Sequence, residues 1–211
     1  MSRLAEEFLI AAAQKSADLT HRATIKRNMD SYDASVAKGQ LRFADWEAAR
    51  TRAAEIKAKA IRNLAPLLEE FERKIKASGG HVYWAETADD ARQYICEVAR
   101  KNDVKTVVKS KSMVTEEIHL SPALEKLGVK VWETDLGELI VQLRNEPPYH
   151  IVTPAMHLTR EQIRDLFQEK LPEDMDGESH QELVAAARRF LRRAFFSAEM
   201  YWRASSAVSA Q

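Results

Sequence analysis

Cysteine is nearly absent from this chain: Cys96 stands alone among 211 residues. A single thiol forms no internal disulfide and cannot by itself hold zinc or an iron–sulfur cluster. It lies within Ala91-Arg92-Gln93-Tyr94-Ile95-Cys96-Glu97-Val98-Ala99, on an apolar helical face, and reads as a core thiol. An excess of charge of either sign is also lacking. Lys+Arg and Asp+Glu number 32 each, so the net charge is zero and no bulk field draws nucleic acid or an anionic membrane. Long apolar runs are missing; none approaches the roughly 20 residues of a membrane span. The opening MSRLAEEFLIAAAQKS carries acids and no signal-peptide cleavage pattern, so a cytoplasmic protein is expected. No nucleophile elbow, Walker loop, GxGxxG or zinc spacing occurs.

What is present is an alternation of helical and strand patterns. A hydrophobic fraction of 45% and a charged fraction of 30% are ordinary for a soluble protein. The length suffices for one sizeable core plus an extended helical arm. Residues 1–44 have weak periodicity, with Leu4, Phe8, Leu9 and Ala12 as a short apolar stripe and a basic cluster around Arg22, Lys26 and Arg27; they read as that arm. From Asp45, a cap, helical spacing runs through Trp46, Ile56, Ile61, Leu64, Leu68, Phe71 and Ile75, with Pro66 expected to kink or divide it and Gly79-Gly80 to stop it.

Beyond this point short β-branched or aromatic runs alternate with amphipathic stretches. Strands are expected at 81–84, 104–108, 129–133 and 150–154, with capped helices between them. This pattern argues for an α/β fold with a mostly parallel open sheet and flanking helices. A capping box at Thr159-Arg160-Glu161-Gln162 opens a further helix, and 182–198 is helical, its arginines alternating with Phe190, Leu191, Phe195 and Phe196. Residues 201–211 predict nothing regular.

The stretch VKTVVKSKSMVTEEIHL, residues 104–120, is the first candidate site, because open α/β sheets place ligands where a strand ends in a polar loop that feeds a helix. Lys109 and Lys111 would share one side if the strand persisted that far, with Ser110 and Ser112 opposite, and Thr115 can cap the next helix. Lysines beside backbone donors suit a carboxylate or phosphate, and a solvated loop offers the same groups. The equivalent loop of the next unit holds Glu133, Thr134 and Asp135. Glu133 or Glu138 can act as general base or as ion-pair partner to a lysine, while Thr134 and Asp135 also read simply as helix caps. His157 is a third candidate at the same rim, with a hydrogen-bonded structural histidine as the plainer reading.

These residues carry a resemblance. GGHVY at 79–83, VKSKSMVTEEI at 108–118, ETDLGE at 133–138, PPYH at 147–150, PAMH at 154–157 and FSAE at 196–199 resemble the lactate-utilisation iron–sulfur protein family (LutB-type, YkgF-like), from about Asp45 to Met200. The resemblance implies an N-terminal LUD domain of NagB/RpiA/CoA-transferase-like α/β fold. It further implies a ferredoxin-like region with two [4Fe-4S] clusters, partner lactate-utilisation subunits, and participation in oxidising L-lactate to pyruvate. The chain departs from that pattern after Met200 and has no C-x-x-C-x-x-C spacing, so a truncated LUD domain at 45–200 is expected, binding no cluster itself. Uncovered sheet edge and apolar surface would follow. Three functions compete: a lactate-oxidation component that binds a small organic anion, a stand-alone CoA-transferase- or isomerase-like enzyme, and a non-catalytic assembly module.

Overall fold

The computed structural model describes residues 3–149, 153–205 and 208–210, with side chains described through Trp202. The chain divides into two compact units, residues 1–82 and 83–211, later than the arm boundary at residue 44 that periodicity suggests.

The first unit holds helices α1 (Arg3–Ala17), α2 (Leu19–Gln40), α3 (Trp46–Arg62) and α4 (Leu64–Ala77). Asp18 and Asp45 cap α2 and α3, each carboxylate accepting from a backbone N–H three residues on. The expected long helix is indeed divided, but at Asn63 rather than at the proline. Pro66 sits in the first turn of α4, where its missing N–H has no intrahelical partner to lose. Gly79, at φ 84°, ends α4: its N–H donates to the Lys76 carbonyl and that of Gly80 to Ile75. This paired closure favours glycine at the left-handed position.

The second unit is the α/β one. Its elements are α5 (Ala88–Lys101), β1 (Thr106–Lys109), α6 (Met113–Glu117), α7 (Leu120–Glu125), β2 (Lys130–Glu133), α8 (Leu136–Arg144), α9 (Arg160–Lys170), α10 (His180–Ser197), β3 (Met200–Ser205) and β4 (Val208–Ala210). The sheet order is β2-β1-β3-β4; β1 pairs in parallel with β2 and β3, and β4 runs antiparallel to β3. An open, mostly parallel sheet flanked by helices is the fold class the alternation predicts.

Four local expectations need correction or placing. Residues 81–84 form no strand; the stretch is irregular, and Tyr83 and Trp84 are exposed apart from the stacking of Tyr83 on Tyr94 at 4.0 Å. Thr115 does not cap α6. Ser112 does, its hydroxyl accepting from Thr115 N–H, while Thr115 turns its own hydroxyl back to the Ser112 carbonyl. Within the tail, 200–205 and 208–210 form β3 and β4, because β3 finds an open flank of β1 that no local pattern announces. The expected strand at 150–154 lies largely outside the described residues.

Two apolar clusters face opposite sides of the sheet. One joins Ile95, Cys96, Ala99, Val107, Leu120, Leu124, Val131 and Trp202 under α5 and α7. The other joins Leu139, Ile140, Leu166, Phe167, Leu183 and Ala186 among α8, α9 and α10, with Trp132 edge-on to Phe190. The strand alternation that sends Val107 and Val131 to the first face sends Lys109 and Glu133 there too.

The outer edge of β2 is not left bare, as uncovered sheet edge was expected to be. Gln142 of α8 accepts from Glu133 N–H at 3.1 Å and donates to the Val131 carbonyl at 2.8 Å, taking the place of a further strand. On α10 the arginines are not simply solvated. Arg193 grips the buried Asp174 carboxylate with two bonds of 2.6 Å, and Arg189 reaches the Asp174 carbonyl and the Asp176 carboxylate.

Candidate functional site

β1 and β2 end level with one another: the parallel register puts Lys109 beside Glu133. Both are buried, and Lys109 Nζ lies 2.7 Å from Glu133 Oε1. The next residue locks the loops together, since Thr134 donates from both its N–H and its hydroxyl to the Lys109 carbonyl, at 2.9 and 3.0 Å. Ser110 N–H donates to the Trp202 carbonyl at 2.9 Å, tying the same loop to β3. The strand stops at Lys109, so Lys111 follows its own course. Its half-exposed ammonium lies 3.3 Å from Oε1 of Glu138, a carboxylate that is almost fully buried in the first turn of α8. Asp135 caps α8, accepting from Glu138 N–H at 3.1 Å. Gly137 lets Pro154 approach this turn; a Cβ there would stand 3.3 Å from the proline ring.

The structure thus gathers Lys109, Ser110, Lys111, Ser112, Thr115, Glu133, Thr134, Asp135 and Glu138 at the carboxyl ends of β1 and β2, where the sequence reading set them. It also shows what the lysines do. Each is already matched to a glutamate, so the ion-pair role suggested for Glu133 and Glu138 is a geometric fact. Burial pushes the Glu133 carboxyl up from its usual range; the Lys109 ammonium pulls it down, and the carboxylates of Glu138 and Glu116 push it further up. The second oxygen of Glu133, Oε2, is buried without a hydrogen-bond partner among the described residues. Of the two lysines, Lys111 is the one within reach of solvent.

His157 is engaged elsewhere. Its Nε2 lies 3.1 Å from Glu146 Oε2 and its ring 4.4 Å from that of Tyr149, beyond the C-terminal end of α8 rather than at the Asp135 end. The Arg144 guanidinium beside Glu146, with His157 adding to it, holds the Glu146 carboxyl well down, at about 2. A depressed carboxylate stabilises the fold above its ordinary titration range and loses that contribution as pH falls toward about 2. Because Glu146 is about a third exposed, solvent screening reduces the effect to about 1–2 kcal/mol. Glu146→Gln should therefore lower the urea midpoint at pH 7 and flatten the acid limb below pH ~5; an unchanged acid limb would show that the Arg144–Glu146–His157 contact carries no stability.

Residues that periodicity did not single out support this arrangement. Gln142 brackets β2 and Glu116 contributes to the field at Glu133, while at the opposite, N-terminal end of β1 Glu199 accepts from the N–H groups of Lys105 and Thr106, at 3.2 and 2.8 Å, aligning β3 on β1. The ladder-bridging role of Glu199 carries no local signal in the sequence.

The chain belongs to the LUD domain family, whose model matches residues 68–211. Among individual proteins, it is 47% identical over 159 residues to Lactate utilization protein B of Anoxybacillus flavithermus, a match covering 75% of this chain and 34% of that one. Lactate utilization protein B of Bacillus velezensis is likewise 47% identical over 159 residues, 75% of this chain and 33% of its own. Lactate utilization protein B 2 of Bacillus mycoides is 45% identical over 158 residues, again 75% and 33%. The chain matches about a third of the length of these relatives. No solved structure matches. Among the described residues no helix is long and apolar enough to cross a membrane, and no group of side chains could hold a metal ion.

Proposed function

We propose that this chain is the LUD-domain portion of a lactate-utilisation protein and that the β1–β2 rim is where it holds a small organic anion. The observation that carries the reading is the 47% identity to proteins named for lactate utilisation, across three quarters of the chain. Lys111 is the recruiting cation, and the Ser112–Thr115 turn and Thr134 shape the loop around it. Glu133, kept short of ordinary acidity by burial, exchanges a proton with the bound acid. Electron transfer through [4Fe-4S] clusters and the oxidation of L-lactate to pyruvate belong to a larger assembly with partner subunits. With Cys96 as its one cysteine, this chain supplies no cluster by itself.

The test is genetic and then direct. Deleting the coding sequence should abolish growth on L-lactate as sole carbon source, with growth on glucose unchanged, and restoring the chain in its native context should rescue it. In isothermal titration below its melting range, Lys111→Gln should weaken L-lactate or pyruvate binding at least fivefold, with a lowered thermal midpoint because the buried Glu138 carboxylate loses the Lys111 ammonium. Normal growth of the deletion strain would overturn the pathway reading; equal affinity in the variant would overturn the site. A raised Glu133 also suits acyl transfer to a carboxylate, the stand-alone enzyme reading. Turnover of an acyl-CoA by the purified chain, lost in Glu133→Gln under conditions where that variant is still folded, would establish that instead.

A further inference from the structure

A concavity lies between α5 and α7, and none of its lining residues belongs to the rim. It is a groove of about 860 Å³, within the range of small-molecule sites. Its floor is apolar: Cys96 from α5, with Ala123 and Leu127 from the α7 side. Its walls are cationic. Arg92, Arg100 and Lys126 supply the charge and His119 stands beside them, against the one carboxylate of Glu97.

These cations are not equivalent. Arg92 is committed, donating to the Ile118 carbonyl at 2.7 Å and pairing with Asp89. Arg100 and Lys126 make no ion pair among the described residues, although the Glu97 carboxylate also lines the groove. Arg92, Cys96 and Arg100 follow at four-residue intervals along α5, so the two guanidinium groups flank the thiol on one stripe, roughly 12 Å apart along the helix. Their fields converge on the floor: burial raises the Cys96 thiol, while Arg100 and Arg92 both pull it down. At the α7 side, His119 is held at φ 52°, a left-handed conformation that costs a non-glycine residue energy and turns the chain sharply where it enters α7. A helix C-terminus favours a nearby cation, but that preference does not require the cations to stand around an apolar trough.

We propose that this groove binds an organic anion, its phosphate or carboxylate head held by Arg100 and Lys126 and its aliphatic or aromatic body lying on Ala123, Leu127 and Cys96. The proposal is independent of the rim: it uses none of the residues that engage Lys109 or Lys111.

The test is a nuclear magnetic resonance titration of the full ¹⁵N-labelled chain with three probes: hexyl phosphate, hexanoate and inorganic phosphate. Saturable amide shifts are expected in residues 92–100 and 119–127 with hexyl phosphate or hexanoate, and the tighter of the two identifies the head group. Inorganic phosphate should bind at least tenfold more weakly, because it leaves the floor uncovered. The Arg100→Gln/Lys126→Gln double variant changes two exposed side chains, so its spectrum should otherwise match the parent, and its affinity for the better probe should fall at least tenfold. Lys111→Gln should leave this binding unchanged. Absence of saturable shifts at millimolar probe, shifts centred on other elements, equal binding of inorganic phosphate, or undiminished affinity in the double variant would each overturn the proposal.

Discussion

Lys109→Met is expected to destabilise the second unit by about 3–5 kcal/mol at neutral pH, the usual consequence of removing one member of a buried ion pair. The ammonium is 1% exposed and 2.7 Å from Glu133. Its loss leaves the Glu133 carboxylate among Glu138 and Glu116 with no opposing charge on its own strand pair. The cost should depend on pH, and the sign follows from the direction of the Glu133 shift. Burial already raises this carboxyl, and Lys109 is the leading influence holding it down. Without the lysine it rises further. A group whose folded-state pKa is raised imposes no penalty below its ordinary titration range and an increasing one as pH climbs through the raised value. The variant should therefore be closest to the parent in mild acid and fall behind as pH rises toward neutrality.

Glu133→Gln behaves differently. It leaves the buried Lys109 without the Glu133 carboxylate and removes the group whose titration gives Lys109→Met its pH dependence, so a loss of similar size should persist across the same pH window. The double variant Lys109→Met/Glu133→Leu replaces the pair by apolar groups of comparable volume and is expected to come back to within about 1 kcal/mol of the parent, or above it. Urea unfolding at several pH values, with the slope checked for constancy, measures all three. Simple additivity of the two single losses would show that these side chains do not act as a pair. Restored stability with lost lactate binding would then show that charge at this rim is kept for function.

How much of this was legible beforehand follows the range of the forces involved. Local chemistry was plain to read: Asp45 and Asp135 cap the helices they precede, the Thr87 and Thr159 capping boxes form, and the β-branched run ending at Val108 is the central strand. The placing of lysines and glutamates at one rim was legible too, because parallel strands of similar length bring equivalent loops together. Their individual roles were not. Lys109 and Lys111 look interchangeable in the text, but pairing ends between them, so one is buried with Glu133 and the other reaches Glu138 from solvent. The pairing of β3 with β1 joins residues more than 90 positions apart, and MYWRAS has no alternation to advertise it. Likewise, residues 81–84 have the composition of a strand but find no partner, and composition alone does not make a strand.

The largest purely apolar loss should come from Phe167→Ala, about 3–5 kcal/mol. The ring is 1% exposed and stands among Leu139, Leu158, Leu166 and Leu183, where α8, α9 and α10 meet. Truncation leaves a void that three helices cannot jointly collapse around, since α8 is anchored to β2 through Gln142 and the start of α10 is capped by Ser179. The contrasting substitution is Ile61→Ala, an equally apolar residue that is 72% exposed on α3, where a change within about 0.5 kcal/mol is expected. Neither α3 nor α4 buries a single residue. Helices without a buried face draw little stability from tertiary packing. Hydrogen exchange therefore separates the units. In Phe167→Ala the amides of α8, α9 and α10 should lose protection by the full global amount, while those of α3 and α4, already exchanging through local openings, should scarcely change. If protection in α3 and α4 instead falls by the same amount, the two units unfold as one cooperative body, and the exposed apolar residues of the first unit, Ile56, Ile61, Leu64 and Leu67 among them, contribute to a shared stability that their burial does not reveal.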